Sequence, residues 1–232
     1  MTIPFRTKEE QVADFLREGI IAGRYPRGAR LKQQEIASLL NTSITPVREA
    51  LKLLEAEGYV TGDSYRGATV APFDIEASTE TLALRVLLET KLVRGAGERA
   101  SAADIAELRA LAGDFAGAYA DGDNEAARAA NYRFHHRMFE IAAMPLTLHF
   151  VQILWARYPF DLINRLPGRV DRAADEHDSL IEALIAGDAS AAMLATREHI
   201  EAGWSELRAA LAAESAATDP SSNDNQAENS LS

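Results

Sequence analysis

From Ser78 onward the apolar residues of this 232-residue chain recur at helical spacing, and no stretch alternates as a strand does. A helix with one apolar stripe buries it against other helices, so this part must close into a bundle. One long pattern runs from Ser78 to Ala100 through Leu82, Val86, Leu87 and Val93. Ser101 followed by Asp104 resembles a capping box and starts a helix to about Tyr119. Asp121-Gly122-Asp123 breaks and recaps the chain, and the next helix reaches Ala143. Pro145 opens another, which Pro167-Gly168 ends. Residues 170–186 and 189–212 form two more, parted by Gly187-Asp188. The expected architecture is mostly α, with an antiparallel all-helical bundle of about six or seven helices over residues 73–214. From residue 215 the chain turns polar (DPSSNDNQAENS), which predicts a disordered tail over 215–232.

Residues 1–72 read differently. Val12, Phe15, Leu16 and Ile20 share a helix face, and Gly23, Pro26 and Gly28 stop it. Gln33 to Leu40 forms a second short helix, and Asn41-Thr42-Ser43 a tight turn. A third helix begins at Thr45, with Thr as N-cap and Pro46 at the first helical position. Val47, Leu51 and Leu54 line its apolar face, and Gly58 ends it. Tyr59 to Ala71 then alternates weakly around Gly62-Asp63-Ser64 and Gly67, as a small β-hairpin does. Two helices joined by a tight turn and followed by a hairpin make a winged helix-turn-helix.

Charge separates the two parts. The whole chain carries -11, yet residues 1–72 hold ten Lys and Arg against nine Asp and Glu, while the remainder holds 14 against 26. The first unit can approach phosphate if its basic groups share a face, whereas the acidic bundle is repelled from DNA. The absence of cysteine excludes disulfides and thiolate metal sites. No apolar run reaches the ~20 residues of a membrane span, and the first residues lack the apolar core of a signal peptide, so a cytoplasmic protein with no membrane partner is expected.

Reading DNA requires small polar side chains and exposed amides at the start of the second helix of the motif. Ser43, Thr45 and Arg48 supply them, while Tyr65, Arg66 and Gly67 sit at the tip of the wing. The alternative is a plain helical hairpin, with Arg48 paired to Glu49 or Glu55. The segments LKQQEIASLL (31–40), SITPVREAL (43–51) and LEAEGYV (54–60) closely resemble the winged-helix domain of GntR-family bacterial transcription regulators. The resemblance implies that Ser43, Thr45, Arg48 and Gly67 contact DNA. Two residues depart from the family pattern. Ile44 stands where many members carry a polar or basic residue, often Arg, and Gln34 stands at a DNA-facing position where many carry Arg.

In the bundle, Asn131 and His135 lie one turn apart on the face shared by Ala127, Phe134, Met138 and Ala142. His136 is about 100° further round and is expected to look outward. His177 lies with Leu180, Ile181 and Leu184, and His199 with Ala192, Ala195 and Ala202. Imidazoles aimed at apolar surroundings need partners. A shared divalent cation satisfies three at once, and three His nitrogens with one oxygen suit Zn²⁺ or Ni²⁺. The alternative is that each ring bonds a neighbouring carbonyl or carboxylate, with Glu176 and Glu198 within reach.

NYRFH (131–135), EH with LI and ALI (176–185), GD (187–188) and HI (199–200) resemble the all-helical FCD effector domain of the FadR-type branch of that family, as does RVLLE (85–89). That resemblance covers about Gln11 to Leu211. It implies that Asn131, His135, His177 and His199 bind a divalent transition metal, with Asn131 replacing the commoner aspartate. It also implies that Arg85 lies near the cavity of a small carboxylate effector. Arg85 can equally bridge to Glu89 one turn on. Trp155, Arg157, Tyr158 and Trp204 are further candidates for the cavity wall or the core.

The reading is a ligand-responsive repressor, a homodimer on a pseudo-palindromic double-stranded operator. The rivals are a metal-dependent hydrolase or oxygenase with an appended DNA-binding-like domain, a metal-free sensor, and an architectural DNA binder.

Overall fold

Thr7 and Glu10 start the first helix by capping one another. The Thr7 hydroxyl accepts from the Glu10 amide, and the Glu10 carboxylate accepts from the Thr7 amide at 2.8 Å. A computed structural model describes residues 7–63, 67–73, 77–163, 166 and 168–218. Helix α1 (Lys8–Ile21) is followed by strand β1 (Arg30–Leu31), α2 (Gln33–Leu39), α3 (Ile44–Glu57), β2 (Val60–Asp63) and β3 (Gly67–Val70). The strands form an antiparallel sheet in the order β1-β3-β2. Arg30 faces Thr69, and Val60 faces Val70. β1 is a third strand that two residues with no alternation could not announce.

α3 starts earlier than the sequence suggests. Its N-cap is Ser43, not Thr45, and Ser43 makes no side-chain capping bond. Pro46 therefore sits in the third helical position, where its missing N–H still costs nothing because the first turn has no intrahelical acceptor. Gly58 closes α3 at φ +88, a left-handed geometry that favours glycine. The Arg157 guanidinium lies 3.1 Å from where a Cβ would stand on Gly58, so a side chain there is excluded twice.

Val47, Ala50, Leu51 and Leu54 of α3 are fully buried against Val12, Leu16 and Ile20 of α1. A buried ion pair crosses this core. Arg17 Nη2 donates to Glu57 Oε2 at 2.8 Å and Arg17 Nε to the same oxygen at 3.0 Å. Burial opposes the charge on Arg17, but Tyr132, Tyr59 and Glu57 outweigh it and raise its pKa.

The second part comprises α4 (Ser78–Gly97), α5 (Ala102–Ala120), α6 (Asn124–Ile141), α7 (Pro145–Ala156), α8 (Phe160–Ile163), α9 (Arg169–Ile185) and α10 (Ala189–Thr218). The seven helices among the described residues agree with the expected bundle. Ser101 and Asp104 do form a capping box. Two boundaries differ. The segment opened by Pro145 was expected to run to Pro167, but α7 stops at Ala156. Pro159 has no amide to donate and excludes Tyr158 from helical geometry, so only the short α8 follows. α10 continues to Thr218, past the expected limit of 214, and residues 219–232 of the expected tail lie outside the described residues. α6 packs on α5, α4 on α10 and α7, and α9 on α5 and α10, with Phe134, Met138, Phe139, Leu92, Leu108 and Leu180 fully buried between them.

Breaking a buried ion pair by removing one charge strands the other. Glu57→Gln is therefore expected to destabilise the protein by about 3 kcal/mol, the lower end of the range for such pairs, because Asp14 still bonds Arg17 at 2.5 Å. Chemical denaturation measures it, and a loss under about 0.5 kcal/mol would show that the pair does not hold α1 to α3.

Candidate functional site

The head presents one polar face. Ser43, Ile44 and Thr45 at the start of α3 and Gln34 in the first turn of α2 are exposed, and Arg48 one turn into α3 is half-buried, 3.8 Å from Glu49. Gly67 opens β3 at φ +104, where a Cβ would meet the Leu31 carbonyl at 3.2 Å. That close approach requires glycine. Tyr65 and Arg66 lie outside the described residues.

In the bundle, the structure brings together the three rings that the sequence scatters over 64 positions. His135 on α6 and His177 on α9 approach Nε2 to Nε2 at 3.3 Å. The His199 ring on α10 lies 4.8 Å from that of His135 and 6.0 Å from that of His177. Asn131 is also buried and lines the cavities beside His199. Phe134 packs on His177 at 4.2 Å, and Phe115 approaches it edge-on. His136 corrects an expectation. Its ring is only 14 % exposed and bonds the Gln152 amide at 3.0 Å, because α7 crosses over that side of α6.

Electrostatics lower the pKa of all three rings. Burial pushes His135 well below the usual imidazole range, with the neighbouring His199 and His177 adding to it. Burial does the same to His177, assisted by His199 and Arg169. For His199, burial outweighs the Glu176 carboxylate that favours its charge. A neutral imidazole keeps one lone pair for a ligand. His177 Nδ1 is buried with no hydrogen-bond partner among the described residues.

Glu176 Oε2 contacts His199 Nδ1 at 2.5 Å and accepts from Arg169 Nη1 at 2.8 Å. The carboxylate therefore fixes the His199 ring and leaves its Nε2 for other partners, the arrangement that supports metal-bound histidines elsewhere. Among the described residues, however, no group of three or more His, Cys, Asp or Glu side chains could hold a metal ion as it stands. Two ring nitrogens face each other, and the third ring lies beside His135.

Arg85 is buried and does bridge to Glu89. Its Nε donates to Oε1 at 2.6 Å, its guanidinium stacks over Tyr158 at 3.9 Å, and its Nη1 has no partner among the described residues. Trp155 Nε1 donates to the same Glu89 oxygen at 2.8 Å. Arg85, Asn131 and His199 line two small adjoining cavities. One is closed by Phe115, Tyr158 and Arg169, the other by His135, Trp155 and Ile21 of α1. The head thus contributes a wall to the cavity. Trp204 packs instead with Ile163 and Leu207.

Sequence reasoning missed Arg169 and, though it named Glu89 and Trp155, missed the bond between them, because those two lie 66 residues apart in the chain. It also missed the joint between the two parts. Arg27 Nη2 donates to the Tyr158 carbonyl at 2.9 Å and its Nη1 to the carbonyls of Ala71 and Ala156. Arg157 Nη1 donates to the Glu57 carbonyl at the end of α3, and the Tyr59 hydroxyl to the Gln152 carbonyl.

Comparison with known proteins places both parts. Residues 8–70 match the model of the bacterial regulatory proteins of the gntR family, and residues 80–202 that of the FCD domain. The chain is 29% identical over 205 residues to a probable D-xylose utilization operon transcriptional repressor of Paenarthrobacter nicotinovorans, covering 84% of this chain and 87% of that one. It is 29% identical over 222 residues to the Exu regulon transcriptional regulator of Escherichia coli (strain K12), covering 87% and 84%. The solved structure of E. coli McbR/YncC superposes with a TM-score of 0.76 at 26% identity, covering 89% of this chain and all of that one. These proteins are transcription regulators and not enzymes, which removes the hydrolase and oxygenase readings. Among the described residues no helix is long and apolar enough to cross a membrane.

The depressed histidines give stability a definite pH dependence. The unfolded chain titrates near the ordinary imidazole value of ~6.5, whereas the folded rings titrate lower. The unfolded state therefore binds more protons in that interval, so stability is full above about pH 6.5 and falls as the pH drops below it. The lowered pKa of Glu176, set by His199 and Arg169 against its burial, acts in the same sense at more acid pH. With chelator present, the melting temperature is expected to fall between about pH 7.5 and about pH 5.5, and less steeply for His177→Gln. Equal slopes for both proteins would show that the ring is charged in the fold.

Proposed function

From the premise that this chain belongs to the GntR family of bacterial regulatory proteins and carries an FCD domain, and so is a DNA-binding transcription regulator, we propose that it is a repressor released by a small organic acid. The acid enters the helical domain beside a divalent transition metal. The observation that carries this reading is the meeting of three neutral imidazoles next to a cavity that also holds a buried, incompletely bonded arginine.

The donor chemistry fits Zn²⁺ or Ni²⁺. Two nitrogens at ~2.1 Å from a tetrahedral ion stand roughly 3.4 Å apart, close to the 3.3 Å between the His135 and His177 Nε2 atoms. Without an ion, that contact is a hydrogen bond between two rings. His199, oriented by Glu176, and Asn131 would complete the set. When bound, the metal supplies a Lewis-acidic point for a carboxylate oxygen. Arg85 Nη1, buried against Tyr158, supplies the second, charge-assisted contact.

The polar face of the head is the DNA surface in this reading. Ser43, Thr45 and Arg48 bring α3 into the major groove, with Gln34 and Gly67 beside it. A homodimer places two such helices on a pseudo-palindromic operator. Leu84 and Leu87, outward on one side of α4, offer apolar surface for the contact between copies. A ligand in the cavity alters the head because Ile21 lines that cavity and Arg27 grips the backbone beyond Trp155. For the response to exist, the ligand must bind the two placements of the head with different affinity.

Arg48→Ala is expected to weaken operator binding by about tenfold or more while leaving helical content unchanged. Wild-type affinity of that variant in a mobility-shift assay would refute the assignment of α3. Elemental analysis is expected to find roughly one metal ion per chain in the wild-type protein and none in His177→Ala. Equal metal content in both proteins would remove the metal from the account and leave a metal-free sensor.

A further inference from the structure

Ile44 is the first residue of α3, and its side chain is 42% exposed. The fold gains little from it, since Val47, Ala50, Leu51 and Leu54 complete the buried face of the helix without its help. It lines an open cleft on the head whose other walls are polar. Arg30 and Lys32 flank it from β1 and the residue after it, Gln34 from α2, and Gly67 from the wing side. Among the described residues, Ile44 is the one aliphatic side chain in that cleft.

An aliphatic group at the tip of a helix that enters the major groove has one complementary feature to meet. The C5 methyl of thymine is the apolar group on the base edges there, and the other groups at those edges are hydrogen-bond donors and acceptors. Against guanine or adenine, isoleucine would strip water from N7 and O6 or N6 and return no hydrogen bond. Against cytosine it would lose the methyl contact.

We propose that Ile44 is a specificity-determining residue that selects thymine at one position in each operator half-site through the thymine methyl group. This rests on the reading that α3 is the recognition helix. Ser43 and Thr45 on either side of it and Arg48 one turn on position the helix, and Ile44 discriminates. The same geometry accepts 5-methylcytosine, which carries a methyl group at the corresponding place on its ring.

The test uses the full chain and a duplex recovered from a random-sequence pool by repeated selection on the protein. Each thymine of that duplex is replaced in turn by deoxyuridine, which differs only in lacking the methyl group. At one symmetric pair of positions the affinity is expected to fall about fourfold per half-site, the effect of one buried methyl. Cytosine at that position binds more weakly than uracil, and 5-methylcytosine recovers part of the loss. Ile44→Ala, whose folding is checked by circular dichroism, binds the thymine and deoxyuridine duplexes equally. Ile44→Val, which keeps a branched aliphatic surface, retains most of the preference. A wild-type protein indifferent to every deoxyuridine replacement overturns the proposal, as does an Ile44→Ala variant that keeps the full methyl preference. A pool that enriches no sequence at all overturns the regulator reading itself, and the methyl contact falls with it.

Discussion

A guanidinium taken out of water must find a carboxylate, and three such pairs organise this molecule. Arg17 with Glu57 locks α1 to the end of α3, and so sets the base on which α3 rests. Arg85 with Glu89 holds the cavity wall. Arg169 with Glu176 orients the His199 ring. Buried pairs of this kind contribute little net stability compared with apolar packing of the same volume. What they impose is geometry, because neither partner can leave without stranding a charge. Each lies where a small displacement would matter: under the recognition helix, beside the cavity, and behind the histidines.

The neutrality of the histidines follows from the same accounting. Three imidazoles share one apolar interior with Arg85 and Arg169 nearby, so a proton on any ring is opposed by burial and by its neighbours. The carboxylates that could offset this are already committed. Glu89 serves Arg85 and Trp155, and Glu176 is shared between His199 and Arg169. The cluster is thus held as a group of lone-pair donors.

Much of this was legible in the sequence, and the limits have physical causes. The inward stripe of α6 placed Asn131 and His135 on the core face because helix period alone decides it. That His177 and His199 face the same interior was legible for the same reason, but their meeting point was not. Periodicity fixes direction about one axis and says nothing of how helices are arranged. His136 shows the cost, since the side of α6 it occupies is exposed on an isolated helix and is covered here by α7. The start of α3 was misplaced because Ser43, Thr45 and Pro46 are all acceptable in the first turn. The arginine contacts to the Glu57, Ala156 and Tyr158 carbonyls have no sequence signal, because backbone carbonyls are the same at every residue.

Those carbonyl contacts join the two parts. The stretch from Trp155 to Phe160 is one short piece of chain with two faces. Toward the cavity, Trp155 bonds Glu89, and Tyr158 and Phe160 stack on the Arg85 guanidinium. Toward the head, the Ala156 and Tyr158 carbonyls accept from Arg27, and Arg157 donates to the last residue of α3. Pro159 removes an amide that would have continued α7, so the residues between Ala156 and Phe160 belong to neither helix. Packed interiors shift between discrete arrangements and do not deform smoothly. In the proposed response, a change in the partner of Arg85 would displace Tyr158, and the carbonyl on the other side of that residue would carry Arg27 with it or release it. A hydrogen bond from a charged donor contributes about 1.5–3 kcal/mol. One such contact is enough to match the roughly 1–3 kcal/mol by which two sites in a protein are ordinarily coupled.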